Sequence, residues 1–225
     1  MHQIEKSPAL RRSEAAHRGA QIALEAMKPL VENMLRFPHN YEWTVQGLGM
    51  LRTYLSPELR LHVWNSQLRV PGVTMLHDHP WDFYSLIVAG EVIQYRYFPV
   101  SPYAEDGRDG SDPEGGWGFE PYMMQTIVCG EGGGPAGDPE PIGLVQEPQE
   151  CYVEGQCYNQ LATEIHQSLP RDGTVTLIRR HFRENTEHAH VFWTPDKEWV
   201  SAEPRPATAM EVWEVTNHAL KVWFN

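Results

Sequence analysis

At 225 residues, with 41% hydrophobic and 21% charged side chains, the chain has ordinary globular usage and is long enough to bury a core. A formal charge of -12 and a pI near 5.3 argue against nucleic acid or an anionic membrane as partner, because both require a basic footprint. No window approaches the roughly 20 apolar residues of a membrane span, and the N-terminus lacks the basic-then-apolar order of a signal peptide, so a cytoplasmic location is expected.

Ser13 is placed to cap a helix running to about Arg36, whose Met27, Leu30, Val31, Met34 and Leu35 form one apolar stripe that must be buried on something. A second helical stretch is expected over about 41–55, with Trp43, Leu48, Leu51 and Leu55 at helical spacing and Gly47 and Gly49 weakening it. Residues 1–56 thus read as a helical extension.

From Leu59 the period changes. Leu61 and Val63 alternate with Arg60, His62 and Trp64, and Leu68 and Val70 alternate with Arg69, as in half-buried strands. After Gly90, Val92 to Phe98 continues in the same manner, with Ile93, Tyr95 and Tyr97 on one face and Gln94, Arg96 and Phe98 on the other. Residues 99–150 read as a long Gly/Pro-rich acidic insertion in which Met123 to Val128 alone resembles a strand; such segments serve as lids or binding loops, or stay disordered.

Strands resume over 151–161 and 174–180, separated from one another by the turn Pro170-Arg171-Asp172-Gly173, with His166 between them. A β-domain over 57–194 is followed by a C-terminal extension, 195–225, containing a helix near Ala209 to Trp223. Cys129, Cys151 and Cys157 are odd in number and lack close CxxC pairing, so reduced thiols are expected rather than a disulfide or a zinc site.

The chemistry concentrates at His77-Asp78-His79-Pro80-Trp81, between the apolar segments Val73 to Leu76 and Phe83 to Val88. Histidines one residue apart on an extended segment share a face, so both imidazoles can approach one point. Imidazole suits zinc, copper, iron and nickel, and it ligates in the neutral form available near pH 7. Polar rings between buried strands need partners, and a metal is the simplest. Glu187-His188-Ala189-His190, near His181, is a second His-x-His; without apolar strands around it, it reads as a solvated hairpin. No nucleophile elbow, Walker loop or dinucleotide fingerprint is present.

The order strand, His-x-His, strand, Gly, long connection, Gly, strand, His, turn, strand resembles the cupin superfamily of small β-barrels, over about residues 59–182. Gly72, His77, His79 and Gly90 follow the first cupin motif with one residue fewer after the first Gly, and Phe83 stands at the position of the motif's metal-binding Glu. In the second motif Gly155 and His166 match, while Leu161, Thr163 and Pro170 replace its Pro, Gly and Asn. The segment also resembles bacterial cupins carrying a similar His-x-His-Pro-Trp run. The resemblance implies an all-β, double-stranded β-helix or jelly-roll barrel with flanking helices.

It also implies a metal centre of His77, His79 and His166, with Fe(II) expected and Zn, Ni or Mn as alternatives. With Phe83 in place of Glu, the pattern looks like cupins that use three His alone, such as thiol dioxygenases of the cysteine dioxygenase type and some diketone-cleaving dioxygenases. The expected function is therefore a mononuclear non-haem iron dioxygenase acting on a small molecule, a thiol acid or a diketone. The alternatives are a non-catalytic cupin that binds a ligand or structural metal, and a cupin isomerase or lyase. Asp82 and Glu164 are candidate fourth ligands, general bases or orienting groups. Arg60, Arg69 and Arg96 are candidates to hold a substrate carboxylate, and Tyr95, Tyr97 and Tyr158 to donate hydrogen bonds in the cavity. The terminal apolar helices would suit a homodimer interface, since cupin barrels often pair.

Overall fold

Among the described residues, strands predominate and helices lie only toward the two ends of the chain. The structure, a computed structural model, describes residues 8–100, 120–129, 133–182 and 188–225; the side chains of 8–15, 120, 181 and 182 lie outside that description. The first sheet contains β1 (Thr44–Gln46), β2 (Leu48–Tyr54), β3 (Leu59–Arg69), β5 (Trp81–Ala89), β10 (Cys157–Gln160), β12 (Val175–Phe182) and β14 (Arg205–Pro206), in the order β10-β5-β12-β3-β2-β1-β14. The second contains β4 (Leu76–His77), β6 (Glu91–Val100), β7 (Glu120–Val128), β8 (Gly134–Gln146), β9 (Glu150–Val153), β11 (Ile165–Pro170) and β13 (His188–Trp193), in the order β11-β4-β13-β7-β8-β6-β9. All pairings are antiparallel, and β11 pairs with β6 as well as β4, which closes the second sheet on itself. This mostly-β arrangement agrees with the expected barrel or jelly-roll class.

Three helices flank the first sheet: α1 (Pro8–Glu25), α2 (Lys28–Arg36) and α3 (Ala209–Phe224). They cover its outer face, where Leu61, Val63, Leu86, Val88, Val175 and Leu177 pack with Leu24, Val31, Leu35, Val215 and Ala219 in one apolar cluster. Strand side chains alternate, so the residues between these, Arg60, His62 and Trp64 on β3 and Thr176, Ile178 and Arg180 on β12, face the other way, into a cavity between the sheets. A smaller cluster of Leu76, Tyr97, Leu144, Ile165 and Phe192 lies in the second sheet.

Several expectations change. The N-terminal helix is two helices, because Pro29 has no N–H to donate and is accommodated only in a first turn, here that of α2. The start at Pro8 precedes Ser13, whose side chain lies outside the described residues. The helix expected over 41–55 is strands β1 and β2. Gly49, at φ +90 and with a would-be Cβ 2.7 Å from the Arg69 side chain, sits where the pairing of β2 with β3 shifts register.

The insertion contains more than one strand, since β7 begins at Glu120 and β8 runs antiparallel to it despite its prolines. A lid or disordered role for 101–119 concerns residues outside those described. The 151–161 strand is split by a turn at Gly155, φ +81. The segment around His190 is strand β13, paired with both β4 and β7, and not a solvated hairpin.

Candidate metal centre

His77 closes β4, and His166 stands directly opposite it on β11, so the antiparallel register by itself brings two imidazoles together. The chain then leaves the ladder, with the Asp78 N–H donating to the His190 carbonyl (3.0 Å) and the His79 N–H to the Ala162 carbonyl (3.2 Å). These bonds hold the loop so that the His79 ring returns to the other two. Ring centroids lie 4.6 Å apart for His77 and His79, 4.7 Å for His77 and His166, and 5.0 Å for His79 and His166. One nitrogen from each ring falls within 4.8 Å of the others.

Hydrogen bonding fixes which nitrogens are available. His77 Nδ1 is 2.9 Å from the Met75 carbonyl, and His166 Nδ1 is 3.0 Å from that of Glu164. A carbonyl can only accept, so Nδ1 carries the proton in both rings and Nε2 keeps its lone pair. Burial holds all three imidazoles neutral: it pushes His166 down to about 3, with His77 beside it adding to the shift, and lowers His77 and His79 as well. Three neutral donors converging on one point can hold a metal ion; they leave its identity open.

Around this cluster the walls are aromatic. Trp81 stacks on His79 (5.6 Å, 25°), and Phe83 meets His79 edge-on (5.2 Å) and lies 6.4 Å from His166. Asp78, buried between the first two histidines, is fixed from outside: its carboxylate accepts from the His190 N–H (2.6 Å) and from His190 Nδ1 (2.7 Å). That pair keeps the His190 imidazole above its ordinary pKa. The sequence marked His190 by its spacing but not by its role.

Other candidates are distributed differently. Asp82 Oδ1 accepts from the Ala162 N–H (2.9 Å), and the Glu164 carboxylate accepts from Gln160 Nε2 (2.9 Å) and the Leu161 N–H (3.1 Å). Both shape the turn that carries His166, and neither joins the three-ring cluster. The Tyr97 hydroxyl faces Gln146 (3.1 Å) and Gln167 (3.4 Å) within the second sheet's own apolar cluster, and the Tyr95 hydroxyl donates to Gln149. Tyr158 does line the inner cavity. Arg96 pairs with Glu150 (2.6 Å), and Arg69 is exposed.

Arg60 faces inward, beside His77 and His79. With it come Arg52 and Arg180, which sequence reasoning missed, and the three guanidinium groups surround the Tyr54 ring at 4.9–5.8 Å. Arg60 and Arg180 also lie over Trp81, at 4.9 and 4.7 Å. Next to them His62 is buried with no partner for either ring nitrogen. Arg52 lies on β2 and Arg180 on β12; the nearest signal was the alternating Arg60-x-His62-x-Trp64 face of β3, which reads as solvated until a second sheet covers it. The resulting cavity, about 700 Å³, is of small-molecule size and opens beside His77 and His79.

Compared with known proteins, the chain matches no protein-family model and no curated protein. Among the described residues, no helix is long and apolar enough to cross a membrane.

Proposed function

We propose that this protein is a cupin-type metalloenzyme in which His77, His79 and His166 hold one divalent ion, Fe(II), and that it acts as a dioxygenase on a small molecule of the thiol-acid or diketone class. The observation that carries the reading is the convergence of three neutral imidazoles, two of them with Nδ1 tied to a carbonyl so that Nε2 is free to ligate. The donor set fits such an ion, since three neutral nitrogens leave coordination positions for other molecules. Phe83, where the cupin motif has its Glu, favours the three-histidine subgroup that the sequence resembles. When bound, the ion supplies Lewis acidity and redox chemistry at one open face.

The chain's own residues do the rest. Phe83 and Trp81 give the cluster apolar walls. The Asp78–His190 pair holds the ligand-bearing loop, and Arg60 offers a bidentate fork to a substrate anion from the same cavity.

Metal analysis of the full chain purified without oxygen tests the proposal, followed by oxygen uptake with a thiol acid and a diketone. Stoichiometric iron with uptake is the expected result, and His166→Ala should lose the metal while staying folded. Zinc or nickel without turnover would point to a binding protein, an isomerase or a lyase. A His166→Ala variant with its full metal content would remove this histidine from the centre.

A further inference from the structure

Arg52 and Arg60 are each 9% exposed, and their Nε atoms have no hydrogen-bond partner. Among the described residues no carboxylate pairs with either. The charges nearby are more positive charges: Arg52 and Arg180 flank Arg60, and the neutral, buried His62 lies alongside. Arg180 donates through Nη2 to the Pro57 carbonyl and has Glu58 near it, while the Asp78 carboxylate at the cavity wall is already engaged by His190.

Burying guanidinium groups costs free energy, and grouping them costs more. Burial and the neighbouring arginines accordingly lower Arg60 to about 9, against the opposing influence of Tyr54. The Tyr54 and Trp81 rings attract the cations but supply no lone pair to their N–H donors. A single carboxylate would answer the fork of Arg52 or of Arg60 and leave the other buried cation without an anion.

We propose that Arg52, Arg60 and Arg180, with His62 beside them, form a pocket for a small molecule bearing a doubly charged oxyanion head, either a phosphate or phosphonate group or a pair of adjacent carboxylates. Trp81 places this head next to His79, because the same indole stacks on that imidazole and lies under two of the guanidinium groups. That the occupant is the substrate of the metal centre rests on the function proposed above; the pocket itself does not.

Calorimetric titration of the full, chelator-treated chain with methylphosphonate, succinate and acetate tests it. Each additional charge-assisted hydrogen bond is worth roughly tenfold or more in affinity, so one or both dianions should bind at least about tenfold tighter than acetate. The preferred dianion identifies the head group. Arg52→Gln and Arg60→Gln should each weaken that dianion by about tenfold or more, and Arg52→Lys, which keeps the charge and loses the fork, by a smaller factor. Dianions no tighter than acetate, or binding unchanged in both Gln variants, would overturn the pocket. His166→Ala, which strikes only the metal centre, should still bind the dianion. Wild-type chain that holds no metal yet binds dianions would therefore end the metalloenzyme reading alone, and the reverse result would end this one alone.

Discussion

Asp78 shows how much of the centre depends on one side chain that is not itself a ligand. It stands between His77 and His79 and is held by two bonds from His190 on β13. Replacing His190 by Ala removes one of them and leaves a buried carboxylate short of a partner, at about 1–3 kcal/mol. The loop then samples geometries that misplace both rings, and metal affinity should fall by about tenfold, within the range known for groups that orient ligands. Competition against a chelator measures it, and unchanged affinity would show that the loop is rigid without this clamp. The three histidines were legible in the sequence because His-x-His and a distant single His match a pattern. Of the inward-facing arginines only Arg60 was, as a candidate for a substrate carboxylate; Arg52 and Arg180 were not. On a strand with helices on one side and a second sheet on the other, both faces are covered, and alternation tells which residues share a face without telling which face meets the cavity.

Among the elements, β2 explains the largest misreading. Five of its seven residues are buried, so its apolar residues do not alternate, and with Trp43, Leu48, Leu51 and Leu55 they fall by coincidence near helical spacing. In β8 the reverse holds: prolines and glycines signal a loop, but the strand forms because a neighbour repairs its ladder. Where the pairing of β7 and β8 shifts register, Gln125 Nε2 donates to the carbonyls of Ala136 (2.9 Å), Gly137 (3.2 Å) and Thr126 (3.2 Å). Gln125→Leu should therefore cost about 1–3 kcal/mol, from stranded acceptors, and speed amide exchange in this hairpin before the rest of the chain.

The third element, α3, was legible from its apolar spacing, and its start is fixed by a capping box between Thr208 and Glu211. Arg205 and the Thr208 N–H hold the Glu211 carboxyl down at about 2, from an ordinary value of 4.5. A depressed carboxyl stabilises the fold above its unfolded pKa, and that contribution is lost as pH falls from about 4.5 towards 2. Glu211→Gln keeps an acceptor for the capping box but loses the charge facing Arg205, so it should lower stability by about 0.2–1 kcal/mol at neutral pH, and the difference from wild type should shrink across that acidic window. Chemical denaturation at several pH values reads it, and a pH-independent difference would rule the charge out.

At the scale of the molecule, the first sheet separates two tasks. Its outer face meets the helices in the main apolar core, and its inner face is given over to histidine, arginine and aromatic side chains. Damage to one side should leave the other readable. Leu177→Ala, at a site with no exposure in the outer cluster, should cost about 2–5 kcal/mol while the folded fraction keeps its metal affinity. Differential scanning calorimetry paired with metal titration makes the comparison, and a parallel loss of affinity would show that the core and the centre are coupled.

One indole lies at the junction of everything on the inner face. Trp81 stacks on His79 and also has the guanidinium groups of Arg60 and Arg180 over its ring. An ion at the histidines and an anion at the arginines would share this wall. If filling the arginine pocket tightens the hold of the histidines by some factor, thermodynamic reciprocity requires the ion to tighten the hold on the anion by that same factor.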